Sequence, residues 1–346
     1  MHKKLFFNFI LIGTTAIIGL IFGEIYLQLN LKPLLKRKLP EIKYETHPVR
    51  RFTLKANQKA YTYGVPANIN KNGFRSNGSI SINNGIVVLG LGDSFTFGLG
   101  VEDRQTWPAK LENYLNKSNN KKYSVINAGT ISYGIFQEMD ILKEKGLILN
   151  PNVIIHALYW NDYMNPEPPK PDEPTRLTNE GYFIWDKINE KKDLLQSFKK
   201  WVFENLMVAV KFRDFINNFR GPLAETSSYG VEYSKLLSNK LTAVDLDPVS
   251  KFYDDLLELQ KQNNFEILVI ILPVVDLVGK KVEINSYQNI IRKMLDDRKI
   301  KYLDCFELWE DQGFGTELFL REEKDAHLNS EGYDIIAGAI KENFFN

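Results

Sequence analysis

The chain has 346 residues, 44% of them hydrophobic, enough to bury the core of one large domain or two small ones. Its 44 basic and 43 acidic residues leave a net charge near +1, which removes any electrostatic argument for a nucleic-acid partner. The one cysteine, Cys305, excludes an internal disulfide, has no neighbours at zinc-site spacing, and reads as a core residue.

After Lys3 and Lys4, residues 5–23 run without a formal charge until Glu24. At about 1.5 Å per residue such a helix nearly spans a hydrocarbon layer of about 30 Å. The absence of a small-x-small cleavage site before Glu24 favours an uncleaved, single-pass signal anchor over residues 1–30; a cleaved signal and a buried helix are the alternatives. Lys32, Lys36, Arg37 and Lys38 outnumber the basic residues before the span, and that charge count alone would put the body in the cytoplasm. Residues 31–82 are polar with little periodicity and are expected to form a connector, ordered near Asn72-Gly-Phe-Arg75.

From residue 83 the pattern changes. Gly85 to Leu91 reads as a fully buried strand, followed by a glycine-rich turn and an amphipathic helix with Thr106 as a cap, Pro108 in its first turn, and Trp107, Leu111, Tyr114 and Leu115 on one face. Strands are expected at Tyr123–Asn127, Val153–Leu158, Phe265–Leu272 and Lys301–Asp304. Helices are expected at about Phe136–Lys145, around Phe252–Leu259, at Tyr287–Leu295 and over Tyr333–Phe344. Strands alternating with helices predict a doubly wound, mostly parallel five-stranded sheet, whose ligands bind outside the carboxyl ends of the strands. An insertion at about 163–250 interrupts this domain, which otherwise runs over 83–346. It opens on the extended Pro166-Glu-Pro-Pro-Lys-Pro-Asp-Glu-Pro174 and contains the helical pattern Phe198, Trp201, Val202, Ala209, Phe212, Ile216 and Phe219. That helix is expected to pack on the domain, with a lid or acceptor-binding surface and a membrane-resting helix as alternatives.

The stretch Gly90-Leu-Gly-Asp-Ser-Phe-Thr-Phe-Gly-Leu-Gly100 invites a nucleotide reading and fails it. Phe95 stands where a dinucleotide fingerprint needs its third glycine, Asn127 ends the second strand in place of a ribose-binding acid, and no Gly-Lys-Ser/Thr follows. No cofactor or metal site is expected: the four histidines, His2, His47, His156 and His327, form no His-x-x-x-His pair, and His156 lies inside a buried strand pattern. What remains is a strand-end serine, Ser94, as nucleophile. His327, just before the last helix and its N-cap at Asn329 or Ser330, is the candidate base by elimination, and Asp325, two residues away, would orient it; the alternative is that both merely sit at a helix entry. Asn127-Ala-Gly129 and Tyr159-Trp-Asn161-Asp162 follow neighbouring strands, so the Ser94 N–H, a Gly129 N–H and the Asn161 amide can converge as an oxyanion hole.

Taken together, Gly92-Asp-Ser-Phe-Thr-Phe-Gly98, Asn127-Ala-Gly129 with Tyr133-Gly134, Trp160-Asn161-Asp162 and Asp325-Ala-His327 resemble the four ordered motifs of the SGNH (GDSL-like) hydrolase superfamily, over about Asn72 to Phe345 without much of the insertion. The resemblance implies a flavodoxin-like three-layer α/β/α fold and a serine esterase acting through an acyl-serine on a short-chain ester, such as an O-acetyl group on a polysaccharide. It leaves two alternatives, an O-acyltransferase moving the acyl group to a glycan hydroxyl and a catalytically silent carbohydrate-binding module. It also favours an extracytoplasmic catalytic domain, against the charge count. Two departures stand out: the terminal spacing is Asp-x-His instead of Asp-x-x-His, which weakens Asp325 more than His327, and Tyr159 replaces a glycine, which is expected to narrow the pocket or re-aim Asn161.

Overall fold

The computed structural model describes residues 2–30, 38–76, 85–118, 121–164, 177–183, 202, 206, 208–209, 212, 228–279, 286–320 and 326–345. They belong to two compact units, residues 1–36 with 187–227 and residues 37–186 with 228–346.

In the first unit, helix α1 (His2–Asn30) contains a stretch, Ile10–Leu29, long and apolar enough to cross a membrane. Ile12, Ile17, Leu20 and Phe22 are all exposed; an apolar surface without a polar stripe suits a membrane span and a signal sequence alike. The Glu24 carboxylate accepts the Val208 backbone N–H at 2.8 Å, and Gly23 faces the Val208 side chain. The described residues of the insertion's helical pattern, Val202, Ala209 and Phe212, therefore group with α1 rather than with the sheet domain. Pro166–Pro174 and Phe198, Trp201, Ile216 and Phe219 lie outside the described residues.

The second unit begins with a correction. The expected connector folds as two antiparallel hairpins, β1 (Tyr44–His47) with β2 (Arg51–Leu54) and β3 (Gln58–Thr62) with β4 (Val65–Ile69). Strands of four or five residues carrying Lys59, Pro66 and Asn68 offer too short an alternation to stand out from a polar background. Their inward residues Tyr44, Phe52, Leu54, Ala60, Ala67 and Ile69 join the main core.

The sheet itself follows the β-branched runs. β5 (Ile86–Gly92), β6 (Tyr123–Asn127), β7 (Val153–Leu158), β8 (Glu266–Ile271) and β9 (Lys301–Asp304) are all parallel, in the order β6-β5-β7-β8-β9. Parallel strands covered on both faces must be apolar throughout, as Val87 to Leu91 and Ile267 to Leu272 are. α3 (Trp107–Ser118) packs with the last helix, Ser330–Phe344, and α4 (Ile135–Ile141) with Asp247–Asn263, giving a three-layer α/β/α architecture of flavodoxin-like strand order. α4 ends sooner than expected and widens into an i→i+5 turn over Leu142–Gly146. The helix Cys305–Gln312 was not foreseen; Asp304 starts it by accepting the Phe306 N–H at 2.9 Å.

Two positional consequences matter for the site. The strand order reverses at β5, so the crevice between the carboxyl ends of β5 and β7, where Gly92 pairs with Ala157, is where such a sheet receives a ligand. Gly92 has φ +149°, and a side chain there would strike the Ala157 carbonyl of the adjacent strand and the Thr96 hydroxyl. The glycine lets the chain turn directly off the strand into the next element.

Candidate active site

That next element is α2 (Ser94–Phe97), a single turn with Ser94 at its first position. Asp93 caps it, its Oδ1 accepting the Phe95 N–H at 2.8 Å. Burial pushes the Asp93 carboxyl up to about 6, against the Phe95 hydrogen bond and the nearby His327, which pull it down. Gly98, at φ +84°, ends the turn in the left-handed region.

The turn is clamped from outside by Arg75. This buried side chain donates from Nε to Asp103 at 2.9 Å, from Nη1 to the Phe97 carbonyl at 2.8 Å and to that of Gly98, and from Nη2 to the Val101 carbonyl. Its guanidinium also lies 4.6 Å from the Phe97 ring centroid. Carbonyls at the end of α2 that its own backbone cannot satisfy thus find a fixed fork of donors. Thr106, expected as a helix cap, instead donates its hydroxyl to the Asp103 carbonyl at 3.0 Å.

His327 arrives from the other end of the chain. The Phe319–Leu328 bridge and the Leu320 N–H to His327 carbonyl bond of 2.8 Å hold its loop, and Asn329 caps the last helix by accepting the Glu331 and Gly332 N–H groups. His327 Nε2 lies 2.7 Å from Ser94 Oγ, across 233 residues of sequence. The Phe95 ring stacks on the imidazole at 4.8 Å and 30°, and the Tyr159 ring lies 4.1 Å beyond on Phe95. Tyr159 is therefore buried behind the histidine and is not on the cavity lining, correcting the expectation that it narrows the pocket. Asp325 lies outside the described residues.

Ser94, His327 and Asn161 line one cavity of about 370 Å³, a size suited to a small ligand. Its other walls are Tyr44, Tyr61 and Tyr63 from the hairpins and Phe183 from the described start of the insertion, with Lys38 and Glu41 also on the lining. Asn161 Oδ1 is buried without a hydrogen-bond partner among the described residues.

Gly129 is not on that lining. Its N–H already donates to Asn127 Oδ1 at 3.0 Å, while Asn127 Nδ2 donates to the Thr96 carbonyl at 2.7 Å. A Cβ at Gly129 would collide with the backbone of Thr96 and Phe97. The expectation of an oxyanion donor there is corrected: Gly129 is a packing glycine that lets β6 approach the nucleophile turn. A backbone N–H at the cavity that sequence reasoning missed is that of Ser132, on the same loop. It lines the cavity, has the left-handed φ of +65°, and its N–H, like that of Ser94, makes no hydrogen bond among the described residues. A glycine would have signalled such a backbone; a serine hides it.

Gly129→Ala is expected to lower stability by about 1–3 kcal/mol, because the collision is with backbone that cannot rotate away. It should lower activity as well, since the displaced backbone is that of α2. Urea denaturation with parallel ester turnover checks both.

No family model matches the chain, and no curated protein matches it. Among solved structures it is similar to the acetyl xylan esterase AlAXEase at 17% identity, over 75% of this chain and 100% of that chain, with a TM-score of 0.42. A member of the lipolytic protein G-D-S-L family from Veillonella parvula is similar at 12% identity, over 75% and 99% of the two chains, with a TM-score of 0.41. Axe2, an acetylxylan esterase from Geobacillus stearothermophilus, is similar at 13% identity, over 75% and 94%, with a TM-score of 0.42. Likeness at this level says nothing of what this chain acts on.

Proposed function

We propose that the chain is a serine esterase that cleaves a short acyl ester, such as an O-acetyl group on a carbohydrate, through an acyl-serine intermediate. The observation that carries this reading is the 2.7 Å approach of His327 Nε2 to Ser94 Oγ at the mouth of the sheet's crevice. His327 takes the hydroxyl proton as Ser94 attacks the ester carbonyl. The Ser94 and Ser132 N–H groups and the Asn161 amide are the donors for the tetrahedral oxyanion. His327 then gives its proton to the leaving alcohol, and a water, activated the same way, releases the acid. Asp325 is the carboxylate proposed to orient His327, on the strength of its sequence position. The aromatic walls Tyr44, Tyr61, Tyr63 and Phe183 suit the flat faces of a sugar ring. The apolar N-terminal helix supports attachment to a membrane, and we place the catalytic domain on its extracytoplasmic side.

The test is product analysis on an acetylated oligosaccharide, with and without a second, unacetylated glycan. Release of free acetate at the same rate in both is expected. Acetate appearing on the added glycan instead would make the protein an acyltransferase.

A further inference from the structure

Behind the site lies a group of fully buried ionisable side chains that the proposed reaction does not use: Glu138 on α4, His156 on β7 and Asp162 just after it. Ligand atoms from the three lie within 4.8 Å of one another. Four hydrogen bonds constrain where protons can sit. His156 Nδ1 is 3.0 Å from the Tyr253 hydroxyl and its Nε2 is 2.9 Å from Glu138 Oε2. Asp162 Oδ2 accepts the Tyr159 N–H at 2.6 Å, and the Asp162 N–H returns to the Tyr159 carbonyl at 3.1 Å. In this group two atoms are buried with no partner among the described residues, Glu138 Oε1 and Asp162 Oδ1.

Both orphans are acceptors if both acids are ionised, and two neighbouring carboxylates in a dry interior cannot both hold a charge. One proton resolves this. With Oδ2 occupied as an acceptor, the proton on Asp162 belongs on Oδ1, and Glu138, with a carboxylate oxygen within 4.8 Å of one of Asp162's, offers the unpartnered Oε1 as its acceptor. In that arrangement Glu138 Oε1 accepts from Asp162, while Glu138 Oε2 and the Tyr253 hydroxyl hold the two ring nitrogens of His156. Burial, and then the charges of Glu138 and Asp93, hold the Asp162 carboxyl well above the ordinary carboxylate range, in the same sense.

We propose that Asp162 is a neutral carboxylic acid donating to Glu138, and that this buried bond is the positioning element that aims Asn161 into the cavity. Asn161 sits inside the Tyr159–Asp162 turn that Asp162 closes, so fixing the acid fixes the amide. The positioning role rests on Asn161 being an oxyanion donor.

The test uses the full chain in detergent. An asparagine amide can replace a neutral acid, accepting from Tyr159 and donating to Glu138, but it cannot replace a carboxylate or a metal ligand. Asp162→Asn is therefore expected to fold and keep kcat within a few-fold of the parent. Asp162→Ala should lower kcat by about 10²-fold at nearly unchanged KM, by misaiming one oxyanion donor. The infrared difference between parent and Asp162→Asn should contain a protonated-carboxyl C=O stretch. Failure of Asp162→Asn to fold, loss of its activity to the level of the alanine variant, absence of that band, or a stoichiometric metal in the purified protein would each overturn the proposal. Asn161→Ala separates the two ideas. It should also lose about 10²-fold in kcat; if it turns over at the parent rate, the oxyanion reading fails, the positioning role falls with it, and the proton assignment stands or falls on the band alone.

Discussion

Ser94→Ala is expected to lower kcat on a short acyl ester by on the order of 10⁴- to 10⁶-fold while leaving the denaturation midpoint within the range of a surface substitution. The loss is large because the hydroxyl is the group that forms the acyl-enzyme; without it, only binding and the oxyanion donors remain to help water attack. The fold should be indifferent. Ser94 Oγ contributes no cap to α2, which Asp93 supplies, and among the described residues it hydrogen-bonds to His327 and, at 3.3 Å, to Asp93. His327→Ala should lose a similar factor, and the double variant little more than either alone, because the two groups act as one unit. Steady-state kinetics on p-nitrophenyl acetate, with a urea titration of each variant, provides both numbers.

The second large effect is expected at Arg75, and it is on stability. Arg75→Met should cost about 3–5 kcal/mol, the usual consequence of removing one partner from a buried ion pair. Asp103 would be left with the Asn68 side-chain and backbone donors, the Phe97 and Gly98 carbonyls would keep only long bonds of 3.4 Å from Asn127 Nδ2 and the Val101 N–H, and the Val101 carbonyl would lose its Arg75 donor. With a urea m-value of about 1–3 kcal/mol/M, the transition midpoint should fall by more than about 1 M. Arg75→Lys should recover little of this, since one ammonium cannot reproduce a planar fork that serves a carboxylate and three carbonyls at once. Activity should fall too, because these carbonyls fix the end of the turn that carries Ser94.

These two residues also mark how far the sequence was legible. Ser94 could be read because its surroundings are physically demanding: a fully apolar strand, then glycines at Gly92 and Gly98 where the backbone takes positive φ, then a one-turn helix. The same holds for the five parallel strands, whose β-branched runs are long enough to reveal burial on both faces. Arg75 could not be read as a clamp. It lies in a polar stretch where a buried arginine and a solvated one look alike, and the hairpins before it are too short to carry a period. Gly129 and Ser132 were confused for a related reason. A glycine can serve close packing or a free N–H, and only the Asn127 side chain, folded back onto the Gly129 N–H, distinguishes the two. Tyr159 was expected to narrow the pocket because it replaces a glycine, yet the chain turns between Tyr159 and Asp162, and the Tyr159 ring lies on Phe95.

The most direct measurement is reaction of the full chain with a fluorophosphonate, followed by sequencing of the modified peptide. A single adduct on Ser94, absent in Ser94→Ala and strongly slowed in His327→Ala, is the expected result. A folded protein that stays unlabelled, or one labelled on another residue, would contradict a serine nucleophile activated by His327.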